Sequence, residues 1–341
     1  MRLVLTRLPR GLATALLVGA VAAAGSPAHA ADPFKDKTIT LVVGFSSGGG
    51  YDQYARMLAR HLGSHIPGNP NVIVQNMPGA GSLTAVKYLD INAPVDGTAI
   101  AVFNNGLLVQ SVTIPAKVDV KFANYAWLGS ITPDYRVCYA WSATGVKSWD
   151  DMMKRKQFVL GSTGKGSGNY INGAILRKVF HAPVKQILGF PGSAEQRLAI
   201  ERGELDGDCG SWTSIPVDWV KNGKIAPFVR FSEQRPAYIP ESARYVGEFA
   251  KTPDQKALVK LLSAGDQIGR PFILSKRVPA DRLAILRTAF DATMKDPGFL
   301  ADAKKQNLTV DAMQGPEAEK IVAEIAKSPP KLVAEAKSVS E

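Results

Sequence analysis

TITLVVGFSSGGGYDQYARMLARHL, residues 38–62, is the stretch from which the fold of this chain can be read. Ile39 to Val43 is a continuous apolar run of the kind buried on both faces inside a parallel sheet. Ser46-Ser47-Gly48-Gly49-Gly50 follows with almost no side chain. Tyr51, Tyr54, Ala55, Leu58 and Leu62 then recur at helical spacing, with Arg56 and Arg60 on another face. Strand, glycine turn and helix open a β-α unit. Successive glycines let backbone N–H groups converge on one point, and the helix that follows adds unpaired N–H groups and the positive end of its dipole. The stretch reads as an anion cradle.

The alternation continues downstream. Asn71 to Gln75 reads as a strand, and the small-residue turn Asn76 to Ser82 opens a helix reaching Tyr88. Thr98 to Phe103 is a third strand, ending at Asn104-Asn105-Gly106. Two extended runs, Trp127 to Ile131 and Arg136 to Trp141, meet at Thr132-Pro133-Asp134, and the pattern then restarts. Helix Trp149 to Lys154, strand Gln157 to Gly161, a glycine turn and helix Tyr170 to Phe180 follow. Strand Gln186 to Gly189, turn Phe190-Pro191-Gly192 and helix Ala194 to Arg202 come next, the last with Ser193 and Gln196 spaced as a capping box. Beyond the strand Ile225 to Phe231 the chain becomes mainly helical, over Thr252 to Ser263, Ala280 to Lys295 and Pro316 to Ala326, with strand-like Ile268 to Leu274 between and a polar tail after. Alternation of this kind predicts an α/β fold with mostly parallel sheets.

Residues 1–30 read as a leader. Arg2, Arg7 and Arg10 precede an apolar run from Gly11 to Ala24, and Ala28-His29-Ala30 is a small-x-small cleavage signal, so cleavage near Ala30 and export are expected. The roughly 310 residues that follow exceed one compact core, which makes two lobes the default. The formal net charge of +11 falls by the three leader arginines and stays positive, which favours small anions over a nucleic-acid partner outside the cytoplasm. Cys138 and Cys209 are the two cysteines. In an oxidising compartment a disulfide between them is the simplest expectation, with two buried free thiols as the alternative.

Two motifs invite enzymatic readings. Gly44-Phe45-Ser46-Ser47-Gly48 matches the G-x-S-x-G nucleophile elbow between strand and helix, which makes an exported serine esterase using Ser46 the alternative function. Against it, only His181 lies far enough downstream to complete a triad, and no strand precedes the elbow to supply an oxyanion hole. His61 and His65 carry Leu62 where a zinc protease needs glutamate, so no metal is expected. Gly161 to Gly168 is rich in glycine, but Gly166 is followed by Ser167 and not by the lysine of a Walker loop. What remains is a repeated design. The turns Ser46 to Tyr51, Ser162 to Tyr170 and Pro191 to Ser193 each lie after a strand and before a helix, where crevices form in open α/β sheets. Two lobes presenting such turns to one cleft describe a clamp for an anion, with no catalytic residue and no cofactor.

VVGFSSGGGYDQYARMLARHL (42–62) followed by VIVQNMPGAGSLTAVKYL (72–89) resembles the tripartite tricarboxylate transporter receptors, the TctC or Bug family of periplasmic solute-binding proteins. GSTGKGSGNYINGAILRKVF (161–180) and GFPGSAEQRLAIERGELDGD (189–208) are similar to that family's later loops. The resemblance implies a two-lobed, type II-like periplasmic binding protein. Lobe 1 would be residues 31–131 plus 232–341, lobe 2 residues 132–231, and the C-terminal helices would pack on lobe 1. It implies a monomer that captures a small carboxylate and delivers it to the membrane permease subunits of a tripartite tricarboxylate transporter. Phe45, Ser46, Ser47, Gly48 and Gly49 would form the first cradle, flanked by Asn104. Ser162, Thr163, Gly166, Ser167, Pro191, Gly192 and Ser193 would close on it from the other lobe. Asp52 would either meet the ligand or satisfy local backbone donors. Tyr51, Tyr170, Lys165 and Cys209-Gly210-Ser211-Trp212 depart from the family pattern. With Phe45, the aromatics among them could sandwich a flat ligand and Lys165 could meet a second carboxylate, which leans the expectation toward an aromatic or dicarboxylic acid.

Overall fold

In the computed structural model the described residues are 32–341, so the leader read at residues 1–30 lies outside them. The opening stretch forms β1 (Thr38–Val43) and α1 (Gly50–Leu62), whose stripe of Tyr51, Tyr54, Ala55, Met57, Leu58 and Leu62 is buried. β2 (Asn71–Asn76), α2 (Leu83–Ile91), β3 (Ala99–Val102), α3 (Gly106–Thr113), α4 (Pro115–Val118) and β4 (Tyr125–Ser130) follow. β1 lies between β2 and β3 and is parallel to both.

At Thr132 to Asp134 the chain crosses to a second sheet. Its elements are β5 (Val137–Trp141), α5 (Trp149–Met153), β6 (Phe158–Ser162), α6 (Gly168–Ala174), β7 (Val184–Leu188), α7 (Ser193–Glu201), β8 (Gly207–Asp208), α8 (Val217–Lys221), β9 (Ile225–Arg230) and β10 (Arg244–Tyr245). α6 continues through a π-helical turn, Ile175–Val179. The chain then returns through α9 (Pro253–Leu262) and β11 (Pro271–Ser275) to α10 (Ala280–Thr293), α11 (Pro297–Lys305), β12 (Met313–Gln314), α12 (Gly315–Ala326) and α13 (Pro330–Ser340).

The sheets run in the orders β12-β4-β11-β3-β1-β2 and β10-β9-β5-β8-β6-β7. Both are mixed: the short β12 is antiparallel to β4 at the edge of the first sheet, and the two interior exceptions to parallel order have one origin. β1 to β4 share a direction, and β11, which arrives from the second sheet, inserts antiparallel between β3 and β4. β5, which arrives from the first sheet, is likewise antiparallel to β8 and β9 on either side of it. Apolar alternation identifies strands, but the side from which a strand enters is a property of the crossover. The crossings pair with each other, since Asp134 N donates to Asp266 O at 2.8 Å and Arg270 N to Thr132 O at 3.1 Å.

Two local expectations change. α7 begins at Ser193 and its N-cap is Gly192, with no side-chain cap bond, so Ser193 and Gln196 do not form a capping box. The tail after Ala326 is not irregular: it forms α13, which packs against α3 and α9 and also reaches α6 beside the second sheet. Ala336, Val339 and Ser340 give this helix a buried stripe, which its many polar residues obscure in sequence.

Candidate functional site

Three helix N-termini meet where the two sheets face each other. A cavity of about 60 Å³ is lined by Phe45, Gly49, Gly50 and Tyr51 at the start of α1, Ser167, Gly168 and Asn169 at the start of α6, and Ser193 and Gln196 on α7. Asn104 and Thr163 complete these walls. All three turns singled out by their small residues therefore reach one place, and their aligned N–H groups make it favourable for negative charge. Two glycines are required by close approach. A Cβ on Gly50 would lie 2.5 Å from Ser214 Oγ and 3.1 Å from Arg270 Nη2, and one on Gly168 would fall within the guanidinium of Arg136.

The remaining residues of the expected cradle do other work. Ser46 Oγ donates to Glu195 Oε2 at 2.9 Å and Ser46 N donates to Pro191 O at 3.3 Å, which latches the first turn to the third. Gly48 O accepts Arg197 Nη2 at 3.0 Å, and Asn104 Nδ2 donates to Gly166 O. Ser47 is exposed. Ser162 Oγ, at the end of β6, accepts Gln186 Nε2 at 3.1 Å, and Gly192 caps α7. Lys165 is exposed and its Nζ donates to Glu341 O at 2.8 Å, so it does not line the cavity. Tyr170 is buried in the hydrophobic core behind α6. Trp212 stacks on Tyr238 outside the cavity, with ring centroids 6.5 Å apart. Phe45 and Tyr51 do line it, but they stack on each other at 4.9 Å. The aromatic sandwich read from sequence is thus not assembled, because Tyr170 and Trp212 face away from the rings they were expected to oppose.

Asp52 satisfies local donors. It accepts Gly48 N at 2.8 Å, Arg56 Nε at 2.9 Å and Asn76 Nδ2 at 2.8 Å, and so holds the glycine turn closed over the start of α1. Burial pushes its carboxyl up, but these hydrogen bonds pull it further the other way, and the net position is below the usual carboxylate value.

Arg136 and Arg270 also line the cavity, both almost fully withdrawn from solvent. Arg136 pairs with Asp134 at 2.6 Å and with Asp266 at 2.9 Å, and donates to Asn105 Oδ1 at 3.0 Å. Arg270 reaches Asp134 at 3.4 Å, and its Nη2 donates to Ser211 Oγ at 2.5 Å and Thr213 Oγ1 at 2.9 Å. Its guanidinium lies 4.2 Å from the centroid of the Tyr51 ring. Both arginines stand at the edges of apolar strand runs in the sequence. A charged side chain beside such a run is the one available signal, since a charged residue is seldom fully buried unless paired.

Asp208 at the end of β8 lines the cavity as well. Burial pushes its carboxyl up to about 6, against the pull of the Cys209 N–H, which Oδ1 accepts at 2.8 Å. Burial likewise pushes Asp266 up to about 7, against the pull of Arg136. Carboxyls raised in the folded state contribute stability that is fully present below the ordinary value of 3.8 and is lost as pH rises through 6 and 7. The lowered Asp52 acts oppositely, contributing stability that is lost as pH falls through its folded value. A thermal melting series is therefore expected to peak near about pH 4 and decline until about pH 7, with a shallower decline in Asp208→Asn. A midpoint that climbs steadily over that range would contradict these assignments.

Behind this wall, Cys138 on β5 and Cys209 form a disulfide, both fully buried. Among the described residues no helix is long and apolar enough to cross a membrane, and no cluster of three or more His, Cys, Asp or Glu side chains could hold a metal ion.

No family model matches the chain. A stretch of 92 residues is 41% identical to the "UPF0065 protein in gbd 5'region" of Cupriavidus necator, covering 27% of this chain and 27% of that protein. Among solved structures, the periplasmic binding protein BugD superposes with a TM-score of 0.73 at 18% identity, over 90% of this chain and 98% of BugD. MatC from Rhodopseudomonas palustris with bound malate gives 0.70 at 18% identity, over 89% of this chain and 99% of MatC. The chain therefore has the two-lobed α/β fold of the Bug and TctC kind of periplasmic binding protein, the family its glycine turns resemble.

Proposed function

We propose that the chain is a periplasmic solute-binding receptor, not an enzyme, that holds a small carboxylate between its lobes and presents it to the permease of a tripartite tricarboxylate-type transporter. The observation that carries this reading is a set of unsatisfied polar atoms at the cavity. Gln196 Nε2, Thr163 Oγ1 and Arg270 Nε are buried and have no hydrogen-bond partner among the described residues. Such groups are costly to leave unpaired, about 1 to 3 kcal/mol each, and rare in folded proteins. With three helix N-termini around them, an anion is the partner that satisfies them.

The ring faces of Phe45 and Tyr51 are taken by each other and by Arg270, which favours a compact aliphatic acid over a flat aromatic one. At about 10–15 Å³ per water-sized group, the cavity of about 60 Å³ suits an acid of few carbons. MatC, of the same fold, is described with malate. The site residues of this reading are Phe45, Gly49, Gly50, Tyr51, Asn104, Thr163, Ser167, Ser193 and Gln196, with Arg136 and Arg270. The esterase reading has no support in this geometry, since Ser46 does not line the cavity and, among the described residues, neither does any histidine.

A thermal-shift screen of the exported form against mono-, di- and tricarboxylates tests the proposal. A ligand at about 100 times its Kd adds about 2.7 kcal/mol, a shift of roughly 5 °C for a chain of this size. Shifts with sugars and with no carboxylate would overturn it. Ser46→Ala should retain the shift, whereas ester turnover abolished by that substitution would establish the hydrolase.

A further inference from the structure

β12 is only two residues long and pairs with Ser130 and Gly129, so the outer edge of β4 from Tyr125 to Leu128 has no strand beside it. A groove of about 590 Å³ opens along that edge, and it shares no lining residue with the cavity at the helix starts. Tyr125, Ala126 and Trp127 form its floor, Leu283 on α10 and Val322 and Ala323 on α12 its walls, and α3 a third side. The floor asks for no polar partner. The Trp127 indole N–H donates to Phe122 O at 3.3 Å, and the Trp127 carbonyl accepts Arg287 Nε at 2.8 Å. The two ends differ in charge. At Trp127, Arg287 on α10 and Glu319 on α12 pair at 2.7 Å and tie the helices together across the groove. At the Tyr125 end stand Lys121 and Lys276: Lys276 follows Ser275, the partner of Tyr125 in register, and its Nζ donates to Ala123 O at 3.1 Å. Both lysines are exposed, and among the described residues neither belongs to an ion pair. Glu319 is the one acid among the described residues of the lining, and Arg287 takes it.

We propose that this groove binds a free medium-chain fatty acid, its alkyl chain lying along β4 between α10 and α12 and its carboxylate at Lys121 and Lys276. The site is separate from the solute cavity and does not depend on the reading given for it. Open apolar surface of this kind marks a binding place, and the volume falls within the range of about 300–1,000 Å³ typical of small-molecule sites. Charge complementarity selects the occupant: an apolar body with one negative end matches an apolar trough with one positive end. The Arg287–Glu319 bridge stops one end, which suits a single tail and obstructs a polypeptide running through. From Ala280 to Arg287 is about 10 Å of helix, which sets the tail at about eight to ten carbons.

Calorimetric titration of the exported form with butanoate, hexanoate, octanoate and decanoate, below micelle-forming concentrations, tests this. Affinity is expected to rise about threefold per added methylene up to octanoate, as apolar area leaves water. Octan-1-ol, with the same tail and no charge, should bind about tenfold more weakly than octanoate. Lys121→Glu with Lys276→Glu, a change confined to exposed side chains, should weaken octanoate about tenfold and leave octanol unchanged. Ala323→Trp, at an exposed position of α12, should fill the groove and abolish octanoate binding while any thermal shift given by short carboxylates at the other cavity persists. Affinity that does not rise with chain length overturns the proposal, as does octanoate binding that survives both the tryptophan and the charge reversal, which would place the acid elsewhere. Capture on anionic phospholipid vesicles with no binding of any free acid overturns it too, in favour of a membrane surface. None of these results touches the carboxylate receptor, whose own test is the screen above.

Discussion

Replacing Arg270 by methionine is expected to abolish ligand binding and to lower folding stability by about 3 to 5 kcal/mol, the cost of removing one partner from a buried ion pair. Arg270 is fully buried and stands just before β11 in the first sheet, while its hydrogen-bond partners Ser211 and Thr213 belong to the second half of the chain. Asp134, its ion-pair partner, sits on the crossover itself. One guanidinium therefore joins both sheets and the connection between them. Methionine would fill much of the volume and keep the Tyr51 face covered, but it would leave Ser211 and Thr213 without their donor and Asp134 with Arg136 alone. For a chain of this size the loss corresponds to roughly 10 °C in Tm. Lysine at the same position should recover part of the stability through its charge but little of the binding, because it has no planar fork to span several acceptors at once. Denaturant unfolding together with calorimetry separates the two effects. A methionine variant with the wild-type midpoint would remove the ion-pair network from any account of this fold.

Removing the disulfide by Cys138→Ala with Cys209→Ala should cost about 4 kcal/mol on the chain-entropy model, since the bridge closes a loop between residues 71 apart. That loop contains β6, β7 and the turns that bring Thr163, Ser167, Ser193 and Gln196 to the cavity. Cys209 also adjoins Asp208 and donates its N–H to that carboxyl, so loosening the bridge should weaken binding along with folding. Thermal unfolding with and without reductant measures the effect, and an unchanged midpoint in reductant would show that the bridge does not hold the second sheet together. The alanine pair separates loss of the covalent link from other actions of the reductant.

Much of the cavity was legible as turn chemistry. Of the residues read as a cradle, Phe45, Gly49, Tyr51, Asn104, Thr163, Ser167 and Ser193 line it. Their positions follow from local rules: a strand, a run without side chains, and a helix whose first N–H groups are free. The others fell one or two residues to the wrong side. Ser46 and Gly166 lie in the same turns but spend their polar atoms on the opposite lobe, because a turn between two facing sheets has an inner and an outer surface. Lys165 was misread for the same reason, and it meets the C-terminus of a helix that had looked like a tail.

The sequence by itself determined the α/β class and the three small-residue turns between strand and helix, because these rest on interactions within about ten residues of chain. Only the tertiary structure decided which charges line the cavity. Arg136, Asp208 and Arg270 are distant in sequence, and each alone looks like an ordinary polar residue beside a strand. Their meaning lies in which of them find partners when the sheets meet. Two arginines are matched by Asp134 and Asp266, while among the described residues Asp208 is in no ion pair, and burial makes that difference costly.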